Sequence, residues 1–167
     1  NSAYSFDGVD DYIEGFSNIN IIGNQTRTIN FWIKPAYPTN SGPSFSYHYL
    51  GFGYGDPSAA STSDPSRGKL CLVTSNQTSG FVLDANYVTH ASNLHIDSSL
   101  WHMITWSYNG TLGRFTIDNT NYFEGPLSNN DTLQTILSQL YIGGLPSLTY
   151  MLSGKMDDIS IYNRALD

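Results

Sequence analysis

The chain of 167 residues is long enough for one domain with a core between two layers, and 40% of its residues are hydrophobic. Its formal net charge is −7, from 14 acidic and 7 basic residues, so no basic stripe is available to neutralise phosphates. Nucleic acids and anionic membrane surfaces are therefore not expected as partners. No apolar run reaches the roughly 18 residues of a membrane span, and we predict no membrane insertion.

The start of the chain and its polar composition favour a piece of a larger extracellular or surface-exposed polypeptide. The first four residues contain neither the charged nor the apolar part of a signal peptide, and a strand-like segment follows at once. Charged residues make up only 13%, so Ser, Thr and Asn must supply most of the polar surface. Cys71 is the single cysteine, so no internal disulfide is possible, and its apolar neighbours favour a buried thiol.

Short β-branched and aromatic runs, separated by Gly, Asn, Asp, Ser and Pro, predict strands along most of the chain. In chain order the predicted strands cover residues 28–34, 45–52, 69–74, 80–83, 101–108, 114–118, 140–142 and 156–162. Asn109-Gly110 indicates a hairpin between two of them, since both residues tolerate positive φ. The Ser-, Ala- and Pro-rich stretch 56–68 predicts a long exposed loop.

One segment has helical rather than strand periodicity. Asp131-Thr132-Leu133-Gln134 has the pattern of a capping box, and apolar residues follow at helical spacing up to Leu140. We expect a short helix near 131–139, packed on one end of the strands. No repeat or composition break divides the chain, which predicts a single domain over residues 1–167.

Five segments, in order, carry a resemblance to a known family. They are Ser5–Tyr12 (SFDGVDDY), Thr28–Pro35 (TINFWIKP), Trp101–Gly110 (WHMITWSYNG), Leu140–Gly144 (LYIGG) and Gly154–Leu166 (GKMDDISIYNRAL). Together they resemble the laminin-G-like, concanavalin-A-type jelly-roll family. The resemblance implies an all-β, two-sheet antiparallel jelly-roll sandwich whose first and last strands are adjacent. The sequence departs from the family at Asn119, where a Gly is usual, but Asn also tolerates the left-handed conformation.

The resemblance also implies a class of functions. Family members bind glycans, proteins or other polymers, often with a structural calcium, and serve as accessory or adhesive modules. The family pattern further leads us to expect five aromatic side chains in the core: Tyr12, Trp32, Trp101, Trp106 and Tyr162.

Five aspartates lie near the two ends of the chain: Asp7, Asp10 and Asp11 in the segment that resembles the family's opening strand and turn, and Asp157 and Asp158 in the last predicted strand. If those strands pair, the carboxylates share one region and repel one another, and Ca²⁺ would neutralise them through its preference for oxygen ligands. We predict a structural calcium site with Asp7, Asp10 and Asp157 as ligands. The alternative is that these aspartates cap turns, pair with Lys155 or Arg164, or face water.

The stretch from Phe45 to Asp56 is rich in aromatics, and alternation divides it between two faces. One face must pack, which leaves aromatic side chains with polar tips on the other; sugar rings stack on such side chains. The predicted glycan-binding residues are Tyr47, His48, Tyr49, Tyr54, Asp56, Tyr87 and His90. The alternative is that these side chains merely cover the sandwich.

Catalysis is not expected. A glycosidase needs two carboxyl groups across a cleft, and the two glutamates, Glu14 and Glu124, are far apart in sequence. The sequence therefore favours a non-catalytic, extracellular binding or adhesion module that recognises a glycan or polysaccharide. The alternative is a structural or protein-interaction domain of a viral, phage or bacterial surface protein.

Overall fold

The computed structural model describes residues 2–15, 20–36, 46–52, 70–75, 80–85, 88–91, 96–126, 140–144 and 151–166; within 46–91 it describes the backbone and its pairing. Every regular element in these ranges is a β-strand. The predicted helix at 131–139 and the predicted loop at 56–68 lie outside the described residues. No helix that is long and apolar enough to cross a membrane occurs in the described part of the chain.

Twelve strands are described. They are β1 (Tyr4–Asp7), β2 (Ile13–Gly15), β3 (Arg27–Pro35), β4 (Ser46–Phe52), β5 (Leu70–Ser75), β6 (Gly80–Ala85), β7 (Val88–Ala91), β8 (His102–Tyr108), β9 (Leu112–Ile117), β10 (Thr120–Pro126), β11 (Leu140–Ile142) and β12 (Ser153–Tyr162). All their pairings are antiparallel. Sheet A has the order β1-β12-β3-β8-β9-β10, and sheet B has the order β2-β11-β4-β5-β6-β7.

The core follows from two-residue alternation in the central strands of sheet A. Ile29, Phe31 and Ile33 of β3 are buried, whereas Trp32 between them is exposed. Register continues this pattern into β8, where Trp106 is opposite Ile29 and is 1% exposed. Leu140 and Ile142 of sheet B belong to the same buried cluster, so the core lies between the two sheets. The predicted jelly-roll sandwich with adjacent first and last strands is therefore confirmed.

Two turns in sheet A show how local sequence sets the strand pairing. Asp118 and Asn119 link β9 to β10 with φ values of 49° and 63°, the left-handed pair that a two-residue hairpin turn requires. The hairpin between β8 and β9 forms as predicted: the side chain of Asn109 accepts from the backbone N–H groups of Thr111 and Leu112. Asn119 thus takes the place of the usual Gly without loss of the turn.

The family pattern was a poor guide to which aromatic side chains are buried. Of the five expected in the core, Trp106 is buried, whereas Tyr12, Trp32, Trp101 and Tyr162 each expose more than a third of their surface. Trp32 is opposite Met103 and Asp157, a row on the outer face of sheet A. The alternation of β3 thus decides the position of Trp32, and the size of an aromatic side chain does not.

Candidate functional site

The loop after β1 gathers three carboxylates. Asp7, Asp10 and Asp11 are exposed, and each offers an oxygen within 4.8 Å of the others. Two hydrogen bonds fix the loop: Asp7 N donates to Asp11 Oδ2 over 3.0 Å, and Val9 N donates to Asp7 Oδ1 over 2.8 Å. Carboxylate oxygens are ligands that Ca²⁺ prefers, and this loop fits the acidic part of a six- to eight-oxygen shell.

Asp157, the third predicted metal ligand, is not part of this group. Asp7 is opposite Ser153, and Tyr4 at the other end of β1 is opposite Met156. Asp157 therefore lies beyond the start of β1, opposite Trp32, and four residues of strand separate it from Ser153 by about 13 Å. The first and last strands are adjacent as predicted, but their antiparallel direction puts their acidic ends at opposite ends of the pair.

The predicted glycan-binding residues that the structure describes lie in two strands of sheet B. Tyr47, His48 and Tyr49 lie in β4, whereas His90 lies in β7, with β5 and β6 between them. The rest of that set, Tyr54, Asp56 and Tyr87, lies outside the described residues. Whether these residues bind a ligand stays a prediction.

A β-bulge corrects the predicted alternation of β4. His48 pairs with Val73 and Leu50 pairs with Leu72, with the register shift at Tyr49 between them. Because Val73 and Leu72 are neighbours in β5, His48 and Leu50 hold register positions on alternate faces. Periodicity alone could not show this, since a bulge of one residue leaves the amino-acid pattern unchanged.

The described part of sheet A contains a groove that the sequence did not indicate. It encloses about 520 Å³, and its lining includes Ser5, Lys155, Lys34 and Trp101. Register aligns these residues in one row: Ser5 is opposite Lys155, Lys155 is opposite Lys34, and Trp101 precedes the residue opposite Ile33. The row runs across β1, β12 and β3 to the start of β8.

The floor of the groove is formed where β12 approaches β3 closely. Gly154 has φ +143°, and a Cβ there would lie 2.6 Å from the carbonyl oxygen of Lys34. Ala36 N donates to the Ser153 carbonyl over 2.8 Å at the same place. Phe6, which is buried, lies beneath. A glycine is therefore required at residue 154, because a side chain there would collide with the backbone of β3.

The turn before β8 positions Trp101 at the end of the row. Asp97 makes an Asx turn, because its Oδ1 accepts from Ser99 N over 2.8 Å. His102, the residue after Trp101, is held by two contacts of its ring. Its Nδ1 is 2.7 Å from Asp118 Oδ2, and its Nε2 is 3.0 Å from the Asp97 carbonyl oxygen. With His102 held from both sides, Trp101 stays at the groove with 38% of its surface exposed.

The groove carries positive charge in an acidic molecule. Lys34 and Lys155 are two of the three lysines in the chain, and they are directly opposite each other. The ion pairs between two described residues are His102–Asp118 and Arg114–Glu124, so neither lysine has an ion-pair partner in the described part of the chain. The sequence signal for this site was weak, because the two lysines are far apart in the chain and only the register brings them together.

Comparison with known proteins agrees with the fold. A laminin G family model, described as the concanavalin A-like lectin/glucanases superfamily, matches residues 7–167. The chain therefore belongs to this superfamily. Among curated protein sequences no match was found.

Several solved structures are similar to the whole chain. Domain 4 of AbnA, a GH43 extracellular arabinanase from Geobacillus stearothermophilus, was solved with arabinotriose; it has a TM-score of 0.73 and 18% identity over 99% of this chain and 72% of that one. The CBM40 of the Ruminococcus gnavus IT-sialidase, bound to α2,3 sialyllactose, has a TM-score of 0.68 and 10% identity over 100% and 92% of the two chains. The ligand-binding domain of Botulinum neurotoxin serotype D, in complex with N-acetylneuraminic acid, has a TM-score of 0.67 and 16% identity over 99% and 39%. At these identities the likeness shows the fold alone.

Proposed function

We propose that this domain is a non-catalytic glycan-binding module of an extracellular or surface protein. The observation that carries the proposal is the likeness of nearly the whole chain to three domains whose structures contain arabinotriose, α2,3 sialyllactose and N-acetylneuraminic acid. The groove of sheet A adds a second argument, since an exposed indole beside hydroxyl groups is a combination that sugars recognise through stacking and hydrogen bonds.

The positions of the two glutamates support binding rather than hydrolysis. A glycosidase places two carboxyl groups about 5–10 Å apart on either side of the scissile bond. Glu14 lies in β2 and accepts from the Tyr141 hydroxyl over 3.2 Å, whereas Glu124 lies in β10 beside Arg114. These strands are edges of different sheets, so the pair does not flank one cleft.

An extracellular or surface location is part of the same proposal, and the composition of the chain supports it. Hydroxyl and amide side chains supply most of the polar surface, since only 13% of the residues are charged. The similar arabinanase is described as extracellular. A glycan-binding module acts where polysaccharides and glycosylated surfaces are found, which agrees with this location.

The predicted set around β4 remains one location for the ligand, and single substitutions test it. Tyr47→Ala and Tyr49→Ala should weaken glycan binding while the melting temperature changes little, if their rings stack on sugar. Thermal melting by circular dichroism provides the control for each variant. Loss of binding that always accompanies loss of stability would assign both tyrosines to packing.

Calcium at the loop after β1 is a further part of the proposal. Asp7, Asp10 and Asp11 would hold the ion, with backbone carbonyls and water completing its shell. Because Asp7 is the last residue of β1, the ion would tie this loop to the edge of sheet A. Its role would be structural.

The experiment that tests the function is a glycan-array screen of the isolated domain, with calcium and with EDTA. We expect reproducible binding to one class of glycan. A folded, monodisperse protein that binds nothing on a broad array would contradict the proposal and favour a structural or protein-interaction role. Binding that survives EDTA would separate calcium from recognition.

A further inference from the structure

We propose that the groove of Ser5, Lys155, Lys34 and Trp101 selects glycans with a carboxylated sugar, with the two lysines binding the carboxylate. This inference rests on the proposed function and adds the chemical class of ligand and its position. The groove belongs to the outer face of sheet A, whereas the residues predicted for glycan binding that the structure describes belong to sheet B.

The argument begins with the lysine pair. Like charges directly opposite each other on neighbouring strands destabilise a sheet, since their side chains begin about 5 Å apart. The chain has few cations, yet it places two lysines at Lys34 and Lys155 without an ion-pair partner among the described residues. An anion bound between them would turn this repulsion into two charge-assisted contacts.

The chemistry around the lysines selects a sugar among possible anions. Ser5, Ser98 and Ser153 line the groove with hydroxyl groups, which pair with sugar hydroxyls. Trp101 adds an exposed indole at one end of the row, on which the C–H face of a pyranose ring stacks. A carboxylate has two oxygens in one plane, one for each ammonium group.

The dimensions suit a short oligosaccharide. Four strands at the usual spacing put Ser5 and Trp101 about 14 Å apart, with the lysines in the middle of the row. Phe6, Pro35 and Gly154 line the groove between these two ends. A sugar that stacks on Trp101 thus places its neighbour over Lys34 and Lys155.

Two acidic residues border the positive region and limit where the anion can lie. Asp7 is two residues from Ser5 along β1, and Asp157 is two residues from Lys155 along β12. Neither lines the groove. They favour an anion centred between the two lysines and disfavour a highly charged chain that extends along either strand.

The test compares matched probes on the intact domain by isothermal titration calorimetry. The carboxylated probe is α2,3 sialyllactose, with lactose as its neutral match, and tri-galacturonate is compared with arabinotriose; a 3′-sulfated lactose tests whether another anion replaces the carboxylate. We expect at least one carboxylated probe to bind about tenfold or more tightly than its neutral match, a preference that weakens with added salt.

Variants then assign this preference to the groove. Lys34→Gln and Lys155→Gln should each lower affinity for the carboxylated probe by about tenfold, since each removes a charge-assisted contact. Trp101→Ala should weaken binding and Trp101→Phe should restore part of it. Arg114→Gln is the matched control, because it removes one positive charge from the same sheet outside this groove and should bind as the unchanged protein does.

The outcomes separate this inference from the proposed function. Glycan binding that is equal for carboxylated and neutral probes, or unchanged in both lysine variants, would overturn the inference and leave a glycan-binding module. Tighter binding of the sulfated probe than of either carboxylated probe would also overturn it. If no glycan binds in the array or in calorimetry, both proposals are wrong.

Discussion

Among the largest buried side chains that the structure describes, Arg27 is charged whereas the others are aromatic or aliphatic, and its contacts explain its burial. It is 1% exposed; Nε donates to the Gln25 carbonyl and a terminal nitrogen to the Gly23 carbonyl, each over 2.9 Å. Burial lowers the pKa of Arg27 to about 10, so it remains charged at neutral pH. The Arg27 side chain thus donates the hydrogen bonds that water would otherwise donate to carbonyl groups in the loop before β3.

Arg27→Met should lower the free energy of unfolding by about 2 kcal/mol, because it removes both donors and leaves the two carbonyls without them. For a domain of this size the melting temperature would fall by roughly 4–8 °C. Arg114→Met, at an exposed ion pair of 3.8 Å, is the control and should change stability by less than about 0.5 kcal/mol. Equal effects at both positions, measured by chemical denaturation, would contradict a structural role for Arg27.

The segment after β12, residues 163–166, returns across β3 and is attached there by one buried hydroxyl. Thr28 Oγ1 donates to the Arg164 carbonyl and accepts from Leu166 N, each over 2.9 Å. Leu166 also lines a small polar pocket with Thr105 and Ser107 of β8. This segment therefore covers part of the outer face of sheet A, away from the lysine pair.

Thr28→Val should release this segment while the strand persists, because valine keeps the shape and the β-branch. We expect a loss of about 1–2 kcal/mol from the missing hydrogen bonds, and faster hydrogen exchange at Leu166. Thr26→Val is the matched control, since its hydroxyl donates to the Asn163 carbonyl over a longer 3.3 Å and is exposed. Exchange at Leu166 that Thr28→Val leaves as slow as in the unsubstituted protein would show that Thr28 does not hold the segment.

In strands with one buried face, the sequence periodicity indicates both the strand and the face. β3, β8 and β12 alternate apolar and polar residues, so their periodicity is visible without the structure. The sequence does not predict β10, β2 or β7, and each of them is an edge strand of its sheet; β10 has no buried residue. Periodicity is produced by burial, so edge strands leave little of it in the sequence.

The candidate sites depended on register, which a sequence does not contain. Asp7 and Asp10 are predicted together because the loop that joins them is local, and the structure places their carboxylates near each other; metal binding there stays a prediction. Asp157 is predicted with them because the terminal strands are expected to pair, but the direction of pairing separates it from Asp7. The lysine row could not be predicted either, because it needs the exact pairing of Lys34 with Lys155.

At the scale of the whole molecule, charge is distributed unevenly. The net charge is −7, yet two of the three lysines face each other in one groove, and three carboxylates gather in the loop that follows β1. Ser153 lies between the two regions, since it lines the groove and is opposite Asp7. A cation at the loop would therefore remove negative charge beside the groove and favour an anionic ligand there.

Calcium should raise the melting temperature of the whole domain, and EDTA should lower it. An ion bound by the folded state alone stabilises it by mass action, by about 2.7 kcal/mol when calcium is present at 100 times its dissociation constant. Asp10→Asn should remove most of this effect, since Asp10 shares the loop with Asp7 and Asp11. Asp157→Asn makes the same change in charge, but Asp157 lies about 13 Å along β12 from Ser153, the residue opposite Asp7. This variant should keep the effect of calcium on the melting temperature. Differential scanning calorimetry of the three proteins, each with calcium and with EDTA, distinguishes these cases.

A melting temperature that EDTA leaves unchanged in the unsubstituted protein would exclude a structural calcium. Loss of the calcium effect in Asp157→Asn would return Asp157 to the set of calcium ligands.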